Sequence, residues 1–125
     1  MPFLPATCQA EITRVIDGDT YVAEFNNKEY IVRIIGVDCF ETRYSAKLRQ
    51  QARKHNIPLS VAYSNGIAAK NFAENILLGE TVTLTRPNDS PDNDIHFRHL
   101  RTVTILWGNV QTDFAQLLTQ RKHVA

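Results

Sequence analysis

Val15-Ile16-Asp17-Gly18-Asp19-Thr20 and, beyond a hairpin, Ile31-Val32-Arg33-Ile34-Ile35-Gly36-Val37-Asp38-Cys39-Phe40-Glu41-Thr42 set charged side chains at the ends of apolar strands. Buried strands normally avoid charge, because an unpaired buried charge is costly. Charges in such places call for a counter-ion, a metal or a phosphate. The stretch therefore reads as a metal and phosphate site. The rest of the chain reads as the barrel that holds it or the surface that feeds it.

Upstream of this stretch, Cys8 to Ile12 alternates apolar and polar residues, as a half-buried strand does. Gly18 interrupts the pattern, which suits a bend or bulge. Tyr21 to Phe25 is a second strand. Asn26-Asn27 is a tight turn, since Asn tolerates positive φ. Glu29 to Val37 is apolar on both faces and predicts a central strand. Arg43 to Ser64 is less regular and reads mostly as a mobile loop. A helix is expected from about Gly66 to Leu78, with Ile67, Phe72, Ala73, Ile76 and Leu77 on one stripe. Thr81 to Thr85 alternates as a fourth strand, and Pro87 to His96 is a polar loop. Arg101 to Trp107 makes a fifth strand, with Val103, Ile105 and Trp107 on one face. A short helix over about Thr112 to Gln120 turns Phe114, Leu117 and Leu118 inward.

Five strands, with a helix after the third and another at the end, match the order of an OB-type barrel. The expectation is a β-rich α+β fold: a five-stranded barrel with two packed helices. Its 125 residues make one domain, with residues 1–7 as a loose N-terminal arm. That length is enough for a hydrophobic core. No run of ~18 apolar residues occurs, so no membrane span is expected. Met1 to Pro5 is not a complete signal peptide, and the compartment stays open between export after trimming and the cytoplasm. Cys8 and Cys39 are compatible with one disulfide or two free thiols. A net charge of +1 does not announce a polyanion binder. Its distribution says more: Arg43 to Ala73 holds no Asp or Glu, yet contains Arg43, Lys47, Arg49, Arg53, Lys54 and Lys70. This is either a solvated basic face or a rim that attracts phosphate.

Within the charged stretch, Asp17 alone is most simply a turn former. Asp19 and Asp38 carry more weight as a pair, since the Gly18 bend and the end of the third strand come together if the first three strands are neighbours. Two adjacent carboxylates repel unless a proton or cation lies between them. Two Asp, a backbone carbonyl and waters suit Ca²⁺, and Cys39 could give that carbonyl. Arg33 is either a snorkelling strand residue or a guanidinium aimed at phosphate. Strict alternation puts Arg33 and Asp38 on opposite faces, so their convergence requires the strand to end or bend near Gly36. Glu41 could orient or deprotonate a water. Arg101 could supply a second phosphate clamp, with Arg98 its rival. His96 and His99 form an H-x-x-H, a pattern that without partner ligands usually lies on the surface.

Ile16-Asp17-Gly18-Asp19-Thr20 and Val32 to Thr42 together resemble the signatures of the staphylococcal nuclease (thermonuclease) family. The likeness covers roughly residues 10 to 120. It extends to the helix beginning Gly66-Ile67-Ala68-Ala69, and the basic 43–65 segment resembles the family's exposed loop. The resemblance implies a five-stranded OB barrel that hydrolyses DNA and RNA phosphodiesters with Ca²⁺, leaving 3′-phosphate ends. By match, Asp19 and Asp38 would be the calcium carboxylates and Cys39 would add its carbonyl. Arg33 and Arg101 would hold the phosphate and Glu41 would act on the water. Asp17 and Thr20 would support them. The chain departs from the pattern in having Phe40 for a proline, which loosens the hold on Glu41, and Cys39 for a threonine. His99 and Leu100 stand for an aromatic and a glycine, and the family's long third helix is missing.

The leading expectation is thus a monomeric, calcium-dependent nuclease acting on single-stranded or loosened DNA or RNA. A barrel that binds nucleic acid or protein without catalysis is the alternative. A structural domain that docks a partner is the third. The set Asp19, Arg33, Asp38, Glu41 and Arg101 separates them, because a purely binding barrel has no physical need for all five.

Overall fold

The computed structural model describes residues 4–88 and 90–125. Six strands and three helices follow in the order β1 (Thr7–Asp17), β2 (Thr20–Phe25), β3 (Lys28–Ile34), α1 (Ala46–His55), α2 (Leu59–Leu77), β4 (Thr81–Thr85), β5 (His99–Trp107), β6 (Val110–Asp113) and α3 (Phe114–Gln120). The strand order is β3-β2-β1-β4-β5-β6, and β3 also pairs β5. That extra pairing, parallel between two otherwise distant edges, closes β1 to β5 into a five-stranded mixed barrel of OB type. β6 extends β5 as a hairpin outside the closure.

The first three strands are neighbours, so the expected meeting of the Gly18 turn and the end of β3 occurs. Asp17 pairs with Thr20 across that turn, and Ile34 N–H donates to the Asp19 carbonyl at 3.0 Å. Asn26 and Asn27 both take positive φ, 51° and 64°, which is the backbone of a type I′ hairpin. Inward residues of all five strands build the core: Ile12, Val15, Tyr21, Ala23, Val32, Ile34, Val82, Leu84, Val103 and Ile105 are buried. Ala69, Ala73 and Leu77 of α2 and Phe114, Leu117 and Leu118 of α3 complete it.

Three expectations are corrected. The segment read as a mobile basic loop holds α1 and the start of α2. α1 is capped by Ser45, whose side chain accepts from Leu48 N–H, and ends at Asn56 in the left-handed conformation. Its apolar face is narrow, with only Leu48, Gln51 and Ala52 buried, so helical periodicity was faint. α2 starts at Leu59, and Gly66 lies inside it rather than at its start. The third correction is the N-terminal arm. Residues 1–3 lie outside the described ones, but Leu4 is buried in the core and β1 already begins at Thr7. Trp107, the last residue of β5, is exposed. Cys8 and Cys39 are free thiols. No helix among the described residues is long and apolar enough to cross a membrane.

Candidate functional site

Asp19 sits in the tight turn between β1 and β2 and is 2% exposed. A carboxylate so buried is tolerated only when hydrogen-bonded and paired. Its Oδ1 accepts from the Thr20 hydroxyl at 2.9 Å and its Oδ2 from Cys39 N–H at 2.8 Å. Arg33 Nη2 lies 3.4 Å from Oδ2. Asp17 is used differently: it accepts from the Thr42 hydroxyl and so ties the turn to the segment after β3.

Arg33 is the penultimate residue of β3. The strand stops at Ile34 and the chain turns through Gly36 at φ +95°, a conformation that favours glycine. The turn brings Asp38 back to Arg33, with Nη2 to Oδ1 at 3.1 Å. Arg33 Nη1 donates to the carbonyls of Ile34 and Val37, which fixes the guanidinium plane. One Arg33 nitrogen therefore stands between the two aspartates.

Asp38 is shared with α1. Lys47 Nζ lies 3.0 Å from its Oδ1, and Gln51 Nε2 donates to its Oδ2 at 3.0 Å. Lys47 and Gln51 are four residues apart and so lie on one helix face. Gln51 also donates to the Cys39 carbonyl at 2.9 Å and accepts from Glu41 N–H at 3.0 Å. Its amide binds the whole Asp38–Glu41 segment to the helix. Phe40, expected to loosen that segment, instead holds it: the ring is buried with Leu48, Ala52 and Ala62. On the other side Gly66 lets α2 approach so closely that an added Cβ would collide with the Glu41 carbonyl.

The charges respond to these neighbours. Burial and three surrounding aspartates, Asp17, Asp19 and Asp38, raise the Glu41 carboxyl above its usual range, against the opposing pull of Lys47. Asp38 is partly desolvated, yet hydrogen bonds from Lys47 and Gln51 and the charges of Lys47 and Arg33 outweigh that and hold it below the usual range. Burial pushes the Cys39 thiol strongly upward, with Asp19 adding to the effect. The Cys39 side chain is fully buried, and it is the backbone of this residue that takes part in the site.

Arg101 does not join this group. β3 and β5 run parallel with Arg33 opposite Leu100 and Ile34 opposite Arg101. Arg101 thus shares the face of Ile34, not that of Arg33. Its side chain is 0% exposed and pairs with Asp92 Oδ1 at 2.7 Å. It also donates to the carbonyls of Leu4, Asp92 and Leu100. It ties the N-terminal segment to the loop before β5. Arg98, the rival, lies on the side of Arg33. It lines a recess of about 310 Å³ together with Arg33, Gly36 and Val37. Asp94 holds its Nε at 2.7 Å, and Phe97 before it takes a positive φ of 60°.

A second cleft, of about 420 Å³, opens beside Glu41 and is lined by Asp17, Arg14, Arg43 and Lys70 among others. Tyr44, next to Arg43 in sequence, stacks on Tyr63 with ring centres 4.5 Å apart. Sequence reasoning passed over Gln51 and Arg14, and placed Lys47 only in the basic rim. The readable signals for Lys47 and Gln51 were the Ser45 cap and their spacing of four.

The oxygens matched to calcium can be tested against this geometry. The Cys39 carbonyl and Asp38 Oδ2 converge on the Gln51 amide, and Asp38 Oδ1 faces Arg33 and Lys47. Asp19 Oδ2 takes Cys39 N–H. Each oxygen of the set already meets a protein donor. Among the described residues no three His, Cys, Asp or Glu side chains converge as a ligand group. The arrangement does not fit a calcium ion held by Asp19, Asp38 and the Cys39 carbonyl.

No protein-family model matches the chain. An uncharacterized protein of Methanocaldococcus jannaschii is 29% identical over 111 residues, covering 86% of this chain and 54% of that protein. The chain spans about half the length of this curated relative.

Proposed function

We propose that this chain hydrolyses phosphodiester bonds of single-stranded or loosened DNA or RNA by direct attack of water on phosphorus. The observation that carries the reading is the continuous charged array Arg33–Asp38–Lys47–Glu41. It runs from the recess that Arg33 shares with Arg98 to the cleft that Glu41 shares with Arg14, Arg43 and Lys70. Guanidiniums suit the paired oxygens of a phosphate. A carboxylate with a raised pKa suits proton abstraction near neutral pH.

In this reading the phosphate lies against Arg33 and Arg98. Glu41 takes a proton from the water as its oxygen bonds to phosphorus. The ester oxygen on the opposite side departs and is protonated by solvent. The guanidiniums stabilise the charge that grows on the phosphoryl oxygens, an effect worth 10²–10³ in rate per donor in comparable sites. Lys47, 3.9 Å from Glu41, favours the ionised base. The basic cleft carries the neighbouring part of the strand, and the Tyr44–Tyr63 pair offers a face for a base.

The test is cleavage of denatured DNA and of RNA by the purified protein, with Arg33→Ala and Glu41→Gln as controls. Cleavage that falls about 10²-fold or more in each control supports the reading. Binding of the same strands with no cleavage would replace the enzyme by the binding barrel. Full activity in Glu41→Gln would remove Glu41 from the mechanism.

A further inference from the structure

We propose that Lys47 and Gln51 of α1 take the place of a divalent cation, so that the site works without bound metal. The inference rests on the phosphodiesterase reading for its chemistry but not for its geometry. A cation in such a site has two tasks: to draw the carboxylates and the carbonyl together, and to offset their charge. Gln51 Nε2 performs the first, lying 3.0 Å from Asp38 Oδ2 and 2.9 Å from the Cys39 carbonyl. Lys47 performs the second, with Nζ 3.0 Å from Asp38 and 3.9 Å from Glu41.

Lys47 by itself is a weak competitor. It is 46% exposed, and an exposed ion pair yields readily to another ion. Gln51 is different. It is 5% exposed and both ends of its amide are used, since Oε1 accepts from Glu41 N–H. Turning Nε2 away from the two oxygens would also withdraw the acceptor from Glu41. The helix cannot retreat easily either, because Leu48 and Ala52 pack with Phe40 and Ala62. A dication at Asp38 would moreover stand beside both Arg33 and Lys47, and like charges oppose its entry.

Calcium titration by calorimetry on the full chain, with no substrate present, tests the inference directly. The wild type should show no saturable binding at or below about 1 mM, the weak end of protein calcium sites. Lys47→Ala/Gln51→Ala should gain binding at or below about 1 mM. If that variant does not fold, Lys47→Ala/Gln51→Glu is the substitute, since it keeps an acceptor for Glu41 N–H and adds a carboxylate. Saturable calcium binding by the wild type overturns the inference, and so does a folded variant that gains none. Cleavage assays separate this from the functional reading. Equal cleavage with chelator and with calcium supports both. Cleavage that requires calcium overturns the inference and leaves the nuclease standing. No cleavage, combined with no calcium binding by the wild type and gained binding in the variant, overturns the nuclease and leaves the inference standing.

Discussion

Gln51 Nε2 lies 2.9 Å from the Cys39 carbonyl, and its Oε1 accepts from Glu41 N–H two residues further on. One buried side chain of α1 thus sets the path of the backbone that carries the proposed base. Strand β3 brings Asp38 to Arg33, but the segment beyond it has no ladder of its own. Its position depends on α1, on the buried Phe40 ring and on the close approach of α2 at Gly66.

Gln51→Leu keeps most of the volume and removes all of these hydrogen bonds. It leaves the Cys39 carbonyl and Glu41 N–H without their partner, and each buried unsatisfied group costs about 1–3 kcal/mol. The expected loss in urea denaturation is about 2–4 kcal/mol, allowing for partial access of water. A loss below about 0.5 kcal/mol would show that the segment finds other partners.

Arg98→Ala and Arg101→Ala separate the two candidates for the second phosphate clamp. Arg98→Ala should lower cleavage about 10²-fold with a modest change in stability. Arg101→Ala empties a fully buried position that joins Leu4, Asp92 and Leu100. It should cost several kcal/mol of stability and leave the rate per folded molecule nearly unchanged. Melting curves together with active-site-normalised rates distinguish these outcomes, and the reverse pattern would return Arg101 to the site.

Gly66→Ala tests the packing of α2 on the site. Its Cβ would meet the Glu41 and Phe40 carbonyls, and these are backbone atoms that cannot rotate away. Alanine normally favours a helix interior by about 1 kcal/mol over glycine. Here the overpacking should reverse the sign and destabilise by about 1–3 kcal/mol, with cleavage reduced as Glu41 shifts. A variant more stable than the wild type would mean that the contact relaxes freely.

The barrel was legible because β1 and β4 alternate, β3 is apolar on both faces, and the Asn26-Asn27 turn names its own geometry. The turn at Gly36 was legible too, from the conflict between alternation and the need for Arg33 to reach Asp38. α1 was not. Its charged face dominates a ten-residue helix that buries only Leu48, Gln51 and Ala52, and such a pattern resembles a solvated loop. The same blindness hid Gln51 and left Lys47 as one charge of a basic rim, because the meaning of both comes from a tertiary contact with Asp38. Arg101 was misread although alternation along β5 puts it on the inward face of Val103 and Ile105, and the parallel register with β3 sets it beside Ile34 rather than Arg33.

Acid should loosen the loop before β5. The Arg101 guanidinium holds the Asp92 carboxyl below its ordinary 3.8, outweighing partial burial. A carboxylate with a depressed folded pKa contributes stability that is fully present above the unfolded value and is lost as pH falls through the folded one. The contribution should therefore hold at pH 5 and above and fade below about pH 4. Asp92→Asn removes this part of the acid sensitivity. Denaturation midpoints of the two proteins should differ at neutral pH and converge as pH falls through the lowered folded pKa of Asp92.

The pH dependence of cleavage should report Glu41. Its carboxyl is raised by burial and by the nearby aspartates, so the protonated, inactive form persists above the ordinary carboxylate range. The rate should rise with pH along an acid limb centred above about 4.3, the value of a free glutamate. Lys47 opposes the raising, so Lys47→Ala removes a stabiliser of the ionised base and moves the limb to higher pH. Lys47→Arg keeps the charge and should hold the limb near its wild-type position. The direction follows from the charge on residue 47 alone, so the pair of variants separates electrostatics from packing. A limb that stays fixed in Lys47→Ala, or moves toward acid, would assign the titration to a group other than Glu41.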